Sequence, residues 1–278
     1  MPKTIVINSS NYVIGSGNRF EYRLPQTSYF PAGSGIGVSN IAIYNSIQNI
    51  NEKRGNNLVT LNWLGTEYTF KIENGYYSVS DLNHYLQNQC ILNGLYVTAN
   101  SGADNVYFIE LVINSIRYST SLNLYVIPTD AQASSLGYTK PSNATWSYPV
   151  SPQTPSFTFG QQFGNLIGQT FGTYGKNQYT NIQYLSTQTP VISPVDSLIL
   201  TCNLINSKYS IPSNILFTVP ISSALGSLIQ VNISSIVLND ILPQNFSSIS
   251  ITIYDQLFNA VELQDTEMTL TLVIEEGK

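Results

Sequence analysis

Apolar and polar residues alternate along most of this chain with the two-residue period of strands. Phe20, Tyr22 and Leu24 alternate with Arg19, Glu21 and Arg23, which predicts a half-buried strand with a charged outer face. From Ile36 to Ile47 both alternating sets are apolar, as in a strand covered on both sides. Val59, Leu61 and Trp63 face one way and Tyr68, Phe70 and Ile72 match them, so this pair reads as a hairpin turning at Gly65-Thr66. Further strands are predicted at Leu95–Ala99, Val106–Ile113 and Leu122–Ile127. The last third adds Ser197–Ile205, Ile215–Val219, Leu228–Ile233, Ile249–Tyr254 and Met268–Ile274. Many short strands with little helix indicate an all-β sandwich or barrel, and periodicity alone does not choose among sandwich topologies.

One segment departs from this period. Ser78, with Asp81 three residues on, suits a helix N-terminus, where hydroxyl and carboxylate satisfy orphan amides and favour the positive end of the dipole. Leu82, Tyr85, Leu86, Gln89 and Cys90 then share one helical face, and Gly94 supplies a stop. The spacing predicts a helix over Ser80–Asn93.

The middle of the chain breaks the pattern again. Between Ala131 and Val195 there is no acidic residue, and Lys140 and Lys176 are the only charges. Pro141, Pro149, Pro152 and Pro155 interrupt its first part, and glycines follow at every fourth position: Gly160, Gly164, Gly168 and Gly172. Four glycines would cost a helix about 1 kcal/mol each, so a packed extended loop with Phe159, Phe163, Ile167 and Phe171 on one face is expected. The domain expectation is a discontinuous sandwich, residues 1–130 and 196–278, with 131–195 as an inserted loop-rich subdomain. Trp146, Tyr148, Phe159 and Phe171 are its candidate exposed partner contacts.

Composition changes the picture of the surface. Of 278 residues only 10% are charged, while 42% are hydrophobic and 19 are tyrosine. Ordinary globular proteins carry about 25% charged residues. Asn, Ser, Thr, Gln and Tyr replace the missing charge, giving a surface that can hydrogen-bond to other proteins without burying ions. A formal net charge of −5 argues against bulk nucleic-acid binding, which needs a basic face. No stretch has the apolar length of a membrane span, and the first residues lack the apolar core of a signal peptide. The sequons at Asn8, Asn143, Asn232 and Asn245 are accordingly expected to be chance matches, and Cys90 and Cys202 to be free core thiols of a protein made in a reducing compartment.

Candidate chemistry is sparse. His84 is the only histidine and falls opposite the helix's apolar face, so a transition-metal site lacks a second histidine or a Cys cluster; a Ser-His-Asp triad would have to use this one outward-facing ring, and no serine stands in a Gly-x-Ser-x-Gly elbow. Asp255, Glu262, Asp265 and Glu267 form the densest acidic group, in a turn where solvated carboxylates are ordinary; a glycosidase needs two carboxyls across a cleft, which the sequence does not show, and a calcium site lacks EF-hand-like spacing, so the solvated turn is favoured over calcium binding. No catalytic, cofactor-binding or metal residues are assigned, and no enzymatic activity is expected.

Three segments carry a family resemblance. They are Gly75-Tyr76-Tyr77-Ser78-Val79-Ser80-Asp81-Leu82-Asn83, then Leu200–Asn206 running on through Ser210–Leu216, then Ile251–Gln256 followed by Met268–Leu272. In that order they resemble the penton, or vertex, capsid proteins of virophages and Polinton-like viruses, mavirus-type pentons in particular. The likeness covers about the first 127 residues and the last 83, leaving out the Gly/Pro/aromatic middle. It implies a single jelly roll of eight antiparallel strands in two sheets, with five copies closing each vertex beside a double-jelly-roll major capsid protein. It also implies assembly inside a host cell into the virion capsid; a host surface receptor is a further candidate partner, resting only on the aromatics Trp146, Tyr148, Phe159 and Phe171 of the 131–195 insertion. The competing expectation is a carbohydrate- or receptor-binding β-sandwich, an adhesin-like attachment module.

Overall fold

The computed structural model describes residues 2–277. In chain order it runs through β1 (Lys3–Asn8), β2 (Arg19–Tyr29) and β3 (Gly35–Tyr44), then β4 (Leu58–Trp63), β5 (Thr66–Lys71) and α1 (Val79–Leu92). Next come β6 (Val97–Ala99), β7 (Asp104–Val106), β8 (Ile109–Asn114), β9 (Ser119–Leu124) and α2 (Asp130–Ser135). They are followed by β10 (Ser156–Phe159), α3 (Gln161–Ile167), β11 (Gly172–Tyr174) and β12 (Ile182–Leu185). The chain finishes with β13 (Ser197–Cys202), β14 (Ile215–Pro220), β15 (Leu228–Asn232), β16 (Asn239–Asp240), β17 (Asn245–Tyr254) and β18 (Met268–Glu275). These elements form two compact units: residues up to Gln48 together with those from Val195 onward, and Asn49–Pro194.

The first unit is a jelly roll. One sheet has the order β1-β18-β3-β15, with the short β16 also pairing to β3, and the other has the order β14-β13-β17-β2. Setting β16 aside and counting along this unit, the first sheet reads first, eighth, third, sixth and the second reads fifth, fourth, seventh, second. Every pairing is antiparallel. Alternation explains the core: Phe20, Leu200, Cys202, Ile251, Ile253, Leu270 and Leu272 come from both sheets and join one buried cluster, with Tyr22 partly buried against it. Each fully buried large apolar side chain stabilises by about 1.5–3 kcal/mol relative to exposure. The strand β1, which the sequence analysis did not single out, closes one edge by pairing Lys3–Asn8 with β18.

The second unit has its own core. Its larger sheet has the order β11-β10-β4-β5, beside a sheet β12-β9-β8 and the two-stranded β6-β7. Helix α1 starts as its sequence predicts: the Asp81 amide donates to Ser78 Oγ at 3.1 Å, and the Asp81 carboxylate accepts from the Ser78 amide at 2.9 Å. Its Leu82, Leu86 and Cys90 are buried, and Asn83 Oδ1 accepts the Leu111 amide of β8 at 2.9 Å. The β4–β5 hairpin is present with its turn one residue earlier than predicted. Trp63 pairs with Thr66, so Leu64 (φ 51°) and Gly65 (φ 92°) make the turn, both in the positive-φ form that matches strand twist.

Two expectations give way here. The boundary drawn between residues 130 and 131 is replaced by one between Gln48 and Asn49, while the return to the jelly roll comes at Val195. The physical reason is pairing: Phe157 and Phe159 of β10 lie opposite Leu61 and Val59 of β4, and Ile182–Leu185 pairs with Ser121–Leu124 of β9. Residues 131–194 therefore complete the core around Trp63, Phe70 and Leu86, which are no part of the jelly-roll core. The glycine run is the second correction, because it holds a helix where an extended loop was expected. Gly160 caps α3, Phe163, Leu166 and Ile167 are its buried face, and Gly168 at φ 71° ends it. The Gln169 amide donates to Gly164 O at 2.8 Å, and a Cβ on Gly164 would stand 2.6 Å from Gln169 O. That glycine permits the close of the helix and so cannot be read as a helix breaker.

Candidate functional site

The four aromatic residues expected to meet partners do not act as a group. Trp146 is 8% exposed and Phe159 4%, while Phe171 is 66% exposed; Tyr148 is half-buried. Trp146 sits between Trp63, at 5.2 Å between ring centroids, and Tyr148, at 5.3 Å. Its indole N–H donates to Gly94 O at 2.5 Å, and Lys140 Nζ lies 5.6 Å above its ring while donating to its carbonyl at 3.0 Å. Phe159 stacks on Tyr174 at 5.3 Å. Trp146 and Phe159 are thus core residues of the second unit, a correction to the exposed reading. Phe171 alone of the four presents most of its ring to solvent.

The candidate chemical groups are placed as follows. His84 is exposed on α1. Among the described residues, no group of three or more His, Cys, Asp and Glu is arranged to hold a metal ion. Asp255 departs from the solvated-turn expectation, since it is only 2% exposed. Its carboxylate accepts the amides of Leu257 at 2.9 Å and Asn259 at 2.8 Å, so it organises the turn after β17. Cys90 and Cys202 are free and buried, and burial pushes both thiols up to about 12, which leaves them protonated and unreactive.

What the jelly roll does present is apolar surface on its loops. At one end the connections 30–34, 203–214 and 233–244 are tied together by the Phe30 amide to Gln244 O, Ile241 to Ser34 O, and Leu242 to Leu204 O. Tyr209 and Ile211 there are 98% and 95% exposed, and Val237 is 76% exposed. At the opposite end of the strands the connections 9–18 and 255–267 are joined by the Leu263 amide to Gly17 O, and they expose Ile14 and Leu257. Lone exposed apolar residues are ordinary, but large ones recurring on adjoining loops mark a surface suited to a protein partner. Alternation could not have found these residues, because loops have no periodic face.

No family model and no curated protein matches the sequence. Among solved structures, the crystal structure of the selenomethionine-labelled mavirus penton protein is matched over 100% of this chain and 99% of that one, at 12% identity and a TM-score of 0.42. That score is too low to establish a shared fold, and the jelly-roll assignment of the first unit rests on its strand order.

Proposed function

We propose that the protein is a structural capsid component, forming the pentameric vertex, or penton, of an icosahedral virus capsid. The observation that carries this reading is the strand order of the first unit, β1-β18-β3-β15 facing β14-β13-β17-β2, a jelly roll of the kind used in capsids and lectins. A fold alone does not determine function, so the site and the sequence must add weight. Two of the three penton-like segments, Leu200–Asn206 with Ser210–Leu216 and Ile251–Gln256 with Met268–Leu272, fall on the strands and loops of this unit. The charge-poor composition and the exposed Tyr209, Ile211 and Val237 suit a surface covered by neighbouring copies.

In this role the chain needs no cofactor and performs no catalysis. Its partners are four further copies, the double-jelly-roll major capsid protein and a host surface receptor, and its place is the virion capsid assembled inside the host cell. A closed fivefold ring requires a head-to-tail interface, in which two different patches of the same chain meet. Sedimentation velocity and native mass measurement over a concentration series, with electron microscopy of the same samples, test the proposal. Five-membered rings that grow in with concentration support it. A dimer or trimer that persists on dilution, with no five-membered species, overturns it.

A further inference from the structure

The outer face of the β11-β10-β4-β5 sheet carries an unusual row. Thr173 pairs with Thr158, Thr158 with Thr60, and Thr60 with Thr69, so one threonine from each strand crosses the sheet in register. The hydroxyls of Thr158 and Thr173 lie 2.9 Å apart and those of Thr60 and Thr69 3.2 Å apart. The neighbouring row is Ser156, Asn62 and Glu67, again directly opposed across strands. Exposed sheet faces are ordinarily covered by long charged side chains; here short hydroxyl and amide groups leave a depression in the surface. That depression is a groove of about 370 Å³ bordered by Gln153, Lys176 and Asn177, within the usual size range of ligand sites, roughly 300–1,000 Å³.

The chemistry of the lining narrows its occupant. Glu67 and Lys176 are the only charged residues that line it, and they cancel. One cation is too few for a phosphorylated or polyanionic ligand, and one carboxylate is too few for a calcium ion. Leu64 supplies the only large apolar side chain, which excludes a lipid or an aromatic ligand. A ligand dense in hydroxyls, neutral and with one small apolar face, matches what remains.

We propose that this groove binds a neutral saccharide, Thr60, Thr158, Thr173 and Asn62 meeting sugar hydroxyls while Leu64 packs on a ring face. The inference does not rest on the capsid role, and its failure would leave that reading where it stands. The test is saturation-transfer NMR on the full chain, with oligosaccharides ending in galactose, mannose or N-acetylglucosamine and a sialylated oligosaccharide as the charged control. Binding by at least one neutral probe, weakened tenfold or more in T60V/T158V, is expected. The valines keep shape and strand preference and remove only the hydroxyls. Thr173→Trp, at an exposed edge-strand position, gives a second arm by filling the groove, and is expected to abolish the same signal with folding intact by circular dichroism. No neutral probe bound at millimolar concentration, binding confined to the sialylated probe, or binding unchanged in both variants would each overturn the proposal.

Discussion

Trp63 and Trp146 meet edge to face, with ring centroids 5.2 Å apart and planes at 62°. Trp63 ends β4, and Trp146 lies in the long segment between α2 and β10. This contact welds the Gly/Pro-rich middle of the chain to the first hairpin of the same unit. The chain has two tryptophans, and both belong to this one core.

Tryptophan fluorescence should therefore follow the second unit alone. Trp146→Ala is expected to cost that unit about 3–5 kcal/mol, as for other buried Trp truncations, and to leave the Gly94 carbonyl without its indole donor. In denaturant titrations the fluorescence midpoint, then reporting Trp63 only, should fall well below that of wild type. The part of the far-ultraviolet dichroism signal that belongs to the jelly roll should keep its midpoint. Equal movement of both probes would show that the two units unfold as one.

Excision should separate the units differently from a simple loop deletion. Ile47 bridges to Leu263, and the Asp196 amide donates to Gln256 Oε1 at 3.1 Å, so both cut ends lie against the same 255–267 connection. Replacing residues 49–194 by a short Gly/Ser linker is expected to give a soluble, cooperatively unfolding jelly roll. Replacing only 131–195 removes β10, β11, β12 and Trp146, and should leave the remaining half of the second core unfolded. Thermal melts by circular dichroism and solubility of the two variants decide this.

The cap of α1 gives a pH-dependent contribution of known sign. Hydrogen bonds from the Ser78 hydroxyl and amide hold the Asp81 carboxyl below its ordinary value of 3.8. A carboxyl depressed on folding contributes stability that is present above 3.8 and is lost as the pH falls through its lower, folded-state value. Ser78→Ala should cost about 1 kcal/mol at neutral pH and let the Asp81 value rise, both readable by denaturant titration and by NMR titration of the carboxyl. An unchanged Asp81 titration in the variant would show that the cap is not its cause.

The thiols offer a probe in each unit, Cys202 in the jelly roll and Cys90 in the second. With both pushed up to about 12 by burial, neither should react with iodoacetamide in native protein at pH 8, and both should react in denaturant. A thiol raised on folding contributes stability that is complete below its ordinary value of 9.0 and declines as the pH rises from there toward about 12. Rapid labelling of either thiol in native protein would contradict its burial.

Much of the local structure was legible in the sequence because its causes are local. Period-two alternation sets the faces of β2, β4, β5, β17 and β18, and Ser78 with Asp81 sets the start of α1, since cap and alternation act within a few residues. The same alternation serves two cores equally well, and nothing within a strand records which core it joins. That Phe157 lies opposite Leu61 and Tyr184 opposite Leu122 is decided by pairing across dozens of residues, so only the tertiary structure placed residues 49–130 with 131–194. Trp146 has no period to reveal its burial, because it stands in a Pro-rich stretch, and Phe159 shares its four-residue spacing with the buried Phe163 and the exposed Phe171, so spacing alone does not separate core from surface there. Gly164 shows the converse limit: intrinsic propensity argued against a helix, and a carbonyl 2.6 Å from the missing Cβ is what makes glycine fit there.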